Sequence, residues 1–233
     1  MIRDYFKELY GSAVEGWNRF WFTPADPATL GLIRILAGAM LFYTHLVWSL
    51  DLNGFMGVDG RFSHELTSRM QGLSPFAWSY LPLIDDSPAM LWTSHIAALV
   101  ILVMFTLGLY TRTVGVLSFI ITLSYAHRAP GALFGLDQIN ALLVMYLMLG
   151  AAGEAYSLDR WLRRRRSMRD DSPRQSTIAN LSIRLIQVHM CVIYLFAGLS
   201  KLSGETWWDG SAMWGALANS EYQSLDMTWL AAY

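Results

Sequence analysis

Residues 88–109 read PAMLWTSHIAALVILVMFTLGL and contain no Asp, Glu, Lys or Arg. As an α-helix such a run is about 33 Å long at about 1.5 Å per residue, and the hydrocarbon core of a bilayer is about 30 Å thick. A surface helix of a soluble domain keeps a charged or polar face; this run has no charged one, so it reads as a membrane span. The same test along the 233 residues adds runs at 28–50, 113–127, 139–152 and 178–200. Composition agrees: 54% of residues are hydrophobic and only 15% are charged, against about 25% charged in soluble domains. The expectation is an all-α, polytopic transmembrane bundle of five spans, forming one domain over residues 1–233.

Details sharpen that expectation. Pro24, Asp26 and Pro27 precede the first span and suit a helix start. Gly and Ala recur within the runs and permit close helix contact. The runs at 113–127 and 139–152 are short, as expected of helices shielded by neighbours or displaced by a few residues. The opening MIRDYFKELY is amphipathic and lacks the apolar run of a cleavable leader. The loop at 51–87 contains the aromatic stretch SPFAWSYLP and could hold an interfacial helix. The closing MTWLAAY, residues 227–233, reads as the start of a truncated sixth span or as a segment against the membrane surface.

Charge predicts orientation. Between Arg160 and Arg174 lie Arg163, Arg164, Arg165, Arg166 and Arg169, and short arginine-rich loops favour the cytoplasm. Alternating five spans from that loop places the N-terminus in the cytoplasm, with eleven basic residues inside against four outside. The arginine run suits anionic headgroups. Nucleic-acid binding would need stacking aromatics or a folded basic domain, and the net charge of −1 gives it no support. The single Cys191 excludes an internal disulfide. The five histidines lack ligand spacing, so no metal is expected. Nucleotide-binding glycine motifs and the serine-hydrolase elbow are also missing.

Ionisable residues inside spans are functional candidates. Arg34 and Arg184 either snorkel to headgroups or pair with acids such as Asp26 and Asp159. His45 and His95 are either helix-packing residues or polar contacts. The opposite side is richer, with Arg128, Asp137, His189, Tyr194, Lys201, Trp208 and Asp209. Lys201 follows YLFAGLS and precedes Trp207 and Trp208. One reading makes it an interfacial anchor in an aromatic belt. The other makes it a general base, since a lysine withdrawn from water has a lowered pKa. Asp137, Asp209 or Arg128 would then tune it or hold a substrate. His189 either donates to a polar headgroup or bonds across the bundle.

Three stretches carry a family resemblance: WFTPADPATLGLIRILAGAML at 21–41, HRAPGALFGLDQINALLVMYLMLGAAGEAYSLDRW at 127–161, and RLIQVHMCVIYLFAGLSKLSGETWWDG at 184–210. Together they resemble the HTTM (horizontally transferred transmembrane) domain, related to the membrane domain of vitamin K-dependent gamma-carboxylase. The resemblance implies a vitamin K-like quinol cofactor, with Lys201 matching the lysine that serves as base. In that family oxygen joins the hydroquinone to give a strong base, which deprotonates a peptide glutamate before carbon dioxide adds. Two departures count against full carboxylation. LFGLDQ at 133–138 has Asp137 near the place of the family's outer-turn histidine, and no large lumenal domain follows within 233 residues. A bacterial relative implies maturation of a secreted peptide, and thus a bacterial plasma (inner) membrane. The alternative is a non-catalytic accessory, peptide-maturation or immunity partner. Membrane lipids are expected partners in either case. A transporter would show related halves or broken helices, and neither is visible.

Overall fold

The computed structural model describes residues 2–71, 77–167, 175–219, 225–227 and 229. Arg169 and Arg174 lie outside the described residues, as do the first three residues of SPFAWSYLP and all of MTWLAAY except Met227 and Trp229. The helices are α1 (Ile2–Phe22), α2 (Ala28–Trp48), α3 (Leu52–Met56), α4 (His64–Gln71), α5 (Pro88–Leu107), α6 (Thr111–Arg128), α7 (Gly135–Leu149), α8 (Leu158–Ser167), α9 (Thr177–Leu202), α10 (Glu205–Trp208) and α11 (Ser211–Leu217). They fall into two compact units, Met1–Ile186 and Gln187–Tyr233.

In the first unit α2 packs on α5 and α7, and α6 packs on the same two helices, closing a ring of four. The ring has a core at each end. Leu30, Leu41, Leu102, Phe105 and Leu147 fill the end where α2 begins, called here the near end. Leu52, Met56, Leu81, Leu91 and Tyr125 fill the far end. Local chemistry sets the helix limits. Pro88 sits in the first turn of α5, and the Ser87 hydroxyl accepts from the Met90 N–H. Gly108 ends α5 in the left-handed region at φ 70°. At Gly38 a Cβ would lie 2.6 Å from Thr106 Oγ1, so only glycine permits this approach of α2 to α5.

The span count needs correction. Among the described residues three helices are long and apolar enough to cross a membrane: Ala28–Trp48, Pro88–Leu107 and Thr177–Leu202. Five spans plus a truncated sixth do not stand. The helix at Thr111–Arg128 carries Arg112 and Arg128 and buries Thr111, Ser118, Thr122 and Ser124 against its neighbours. The helix at Gly135–Leu149 has 15 residues, about 22 Å against a core of about 30 Å. Both are apolar because they complete the ring. The alternation of sides built on five spans falls with the count.

The start of α9 belongs to the first unit. Ala179 is buried, Ile183 and Ile186 pack on the near core, and the Asn180 amide donates to the Phe20 and Trp21 carbonyls at 2.8 and 2.9 Å. Ala25 and Ser176 exchange backbone hydrogen bonds alongside. The second unit contains the rest of α9, where Tyr194, Leu195, Phe196 and Leu199 are exposed. Apolar surface presented in this way suits lipid.

Candidate functional site

The far end of the ring carries an apolar groove of about 590 Å³. Tyr43, Val47 and Trp48 come from α2, Phe55 from α3, and Phe134 with Asp137 from the start of α7. Tyr43 and Val47 are four residues apart and so share a helix face. Two carboxylates stand at this groove. Asp51 pairs with Arg61 at 3.3 Å, and Arg61 lies over the Phe55 ring. Asp137 Oδ2 accepts from the Phe134 N–H at 2.9 Å, which caps α7. The groove therefore offers aromatic faces and one carboxylate without an ion pair among the described residues.

Arg128 lies deeper and is fully buried. Its Nη2 and Nε donate to Asp85 Oδ2 at 3.0 and 3.2 Å. Nη2 also donates to the Met56 and Gly57 carbonyls. Nη1 donates to Thr67 Oγ1 and to the Phe62 carbonyl. All three nitrogens thus end on protein groups, and the side chain ties the segment between α2 and α5 onto the end of α6. Its geometry is that of a clamp.

Beneath the clamp runs a buried polar chain. His95 pairs through Nδ1 with the Tyr125 hydroxyl at 2.7 Å and through Nε2 with the Ser49 hydroxyl at 2.9 Å. The His45 ring lies 4.7 Å from the Tyr125 ring, and its Nδ1 donates to the Leu41 carbonyl. His45 and His95 are thus packed and bonded within the ring. The chain can pass a proton between hydroxyl and imidazole, and Ser49 adjoins the groove residue Trp48 in sequence. Nε2 of His45, Oγ of Ser118, Oγ1 of Thr122 and Nδ2 of Asn140 are buried without a hydrogen-bond partner among the described residues.

The near end holds Arg34, which does not snorkel. It is fully buried and donates to the Ala152 and Tyr156 carbonyls at 2.5 Å each. Asp159, one of the two acids considered as its partner, instead caps α6, accepting from the Tyr110 N–H and from the N–H and hydroxyl of Thr111. Burial pushes the Asp159 carboxyl up, but these bonds and the charge of Arg163 hold it below the usual carboxylate range. Arg184 lies over the Phe20 ring.

The remaining site candidates belong to the second unit. Lys201 is exposed, with Nζ 4.7 Å from the centre of the Trp207 ring. The Trp208 indole donates to the Leu202 carbonyl at 2.7 Å. Asp209 accepts from the Ser211 N–H at 2.8 Å, and hydrogen bonding by Ser211 holds its carboxyl below the usual range. Tyr194 is exposed on α9 and His189 is half-buried there. Among the described residues no three His, Cys, Asp or Glu side chains gather as a metal site.

The sequence pattern of the HTTM domain matches residues 22–232. The chain belongs to the HTTM domain family. No curated protein and no solved structure matches it. It is an integral membrane protein, and its HTTM domain takes in the whole ring and the second unit from α2 onward. Sequence reasoning missed two parts of this HTTM domain. The aromatic wall of the groove was invisible because α2 is apolar all round, so periodicity does not mark one face as open. Asp85, the counterion of Arg128, sits 43 residues away in a loop. The available signal was the Asp85–Asp86 pair in an otherwise weakly charged stretch.

Proposed function

We propose that this HTTM domain holds a lipid-soluble ligand with an aromatic headgroup, of the quinol type, in the far-end groove. The groove itself carries the reading. Its volume of about 590 Å³ lies within the range of small-molecule sites, about 300–1,000 Å³. Tyr43, Trp48, Phe55 and Phe134 supply ring faces for stacking. Asp137 supplies an acceptor for a phenolic hydroxyl, and Asp51 is occupied by Arg61. Independently of the groove, the resemblance to gamma-carboxylase implies Lys201, in the second unit, as a base and a secreted peptide as substrate.

A second reading, a non-catalytic accessory protein, is favoured by Lys201 itself. An exposed lysine held over Trp207 is the arrangement of an interfacial anchor. One experiment separates the two. Lipid extracts of the purified full chain are compared by mass spectrometry for wild type, Val47→Trp and Lys201→Ala. A quinone that copurifies with wild type and is lost on filling the groove with Val47→Trp supports the ligand reading. Quinone in none of the three samples favours the accessory reading. Once an activity is measured, Lys201→Arg restoring it in full removes Lys201 as a base, because arginine hardly deprotonates.

A further inference from the structure

Two cavities of about 450 and 590 Å³ adjoin at the near end and share Arg112, Met148 and Glu154 in their walls. The larger continues over Val116, Leu149 and Ile178. These apolar side chains stand where α6 and α9 begin and α7 ends. The double groove therefore has an apolar floor and a polar mouth at the level of the helix ends. Two carboxylates lie there, and both are occupied. Glu154 pairs with Arg163 at 3.0 Å, and Asp159 caps α6 through three hydrogen bonds. The Arg112 guanidinium forms no ion pair or hydrogen bond among the described residues and is exposed. The groove thus presents one uncommitted cation above an apolar channel.

We propose that this groove binds one anionic phospholipid, its phosphate on Arg112 and an acyl chain along Val116, Leu149 and Ile178. Charge complementarity selects the headgroup. A guanidinium forks two hydrogen bonds onto a phosphate. A zwitterionic headgroup would add an ammonium, and both carboxylates at the mouth already have partners. The exposed arginines of α8, Arg164 to Arg166, attract anionic lipid in general; the groove gives one molecule a defined seat.

The test is native mass spectrometry of the detergent-purified full chain with equal amounts of phosphatidylglycerol and phosphatidylcholine. Wild type is expected to retain one phosphatidylglycerol in preference. Arg112→Gln should lower the retained fraction about fivefold, the effect of one basic residue at a membrane surface. Ile178→Trp keeps the charge and fills the acyl path, so it should lower retention too, and it carries the test if the glutamine variant does not fold. Arg164→Gln should change nothing. Equal retention of the two lipids by wild type overturns the proposal. So does full retention by Arg112→Gln or by Ile178→Trp, or a loss in Arg164→Gln as large as in Arg112→Gln. Displacement of the lipid by excess inorganic phosphate would mark a phosphate-ion site and also overturn it.

Discussion

Arg34 and Arg128 are both fully buried, one at each end of the same ring of helices. They solve the same electrostatic problem in different ways. Arg128 has a carboxylate, Asp85, and adds carbonyls from Met56, Gly57 and Phe62. Arg34 has carbonyls alone in direct contact, from Ala152 and Tyr156, and its Nε makes no hydrogen bond among the described residues. The first is a neutral pair that collapses into a buried lone charge when one partner goes. The second is a single cation solvated by backbone dipoles, whose removal takes the charge away with it. Burial alone therefore does not rank the two; the consequence of losing a partner does.

The difference can be broken by mutation, read as unfolding midpoints in detergent. Asp85→Ala should cost most, about 3–5 kcal/mol, because it strands the Arg128 charge. Asp85→Leu with Arg128→Met should recover part of that loss; a double variant as unstable as the sum would mean the two do not act as a pair. Arg34→Met comes next at about 2–3 kcal/mol, for two orphaned carbonyls. A cost equal to that of Asp85→Ala would erase the distinction drawn here. Gly108→Ala should cost about 1–2 kcal/mol from the left-handed backbone. A Cβ there would also lie 2.6 Å from Ser157 Cβ and 2.7 Å from Arg34 Cζ, which adds to that cost, and an Arg34→Met background should relieve only the second clash and so only part of the loss. The smallest effect is at Asp159. Its folded pKa is depressed, so its contribution is complete above the ordinary carboxylate value of about 4 and fades as pH falls through the folded value. Wild type should lose more stability between pH 6 and pH 3 than Asp159→Asn, by less than about 1 kcal/mol given its exposure.

The ends of the three long helices were legible to within two residues. The runs at 28–50, 88–109 and 178–200 meet helices Ala28–Trp48, Pro88–Leu107 and Thr177–Leu202; Pro24, Asp26 and Pro27 marked the first start, whereas Gly108, which ends α5, lay inside the expected run. The membrane status of α6 and α7 was not legible. Hydropathy registers that a helix avoids water, and avoidance is equally met by lipid or by neighbouring helices. Among the site residues, sequence position located Asp137 at the start of its helix, where it caps α7 and lines the groove. It could not tell that Arg128 would be enclosed by the Met56–Thr67 segment and Asp85, since each of those contacts spans more than 40 residues. For Arg34 the sequence left snorkelling and pairing with Asp26 or Asp159 both open; neither describes it, because the Ala152 and Tyr156 carbonyls close over it first.

The seam between the Phe20–Ala25 segment and the Ser176–Asn180 segment joins parts of the chain as much as 160 residues apart. A ribosome adding about 5–20 residues each second needs on the order of ten to thirty seconds to make what lies between. Throughout that interval the Phe20, Trp21 and Ala25 carbonyls wait for partners that do not yet exist. The ring of α2, α5, α6 and α7 can close meanwhile, since all four helices precede α9. Synthesis thus imposes a sequence on assembly: bundle first, seam last. A chain halted before Asn180 would expose its open edge to insertion factors and membrane proteases alike.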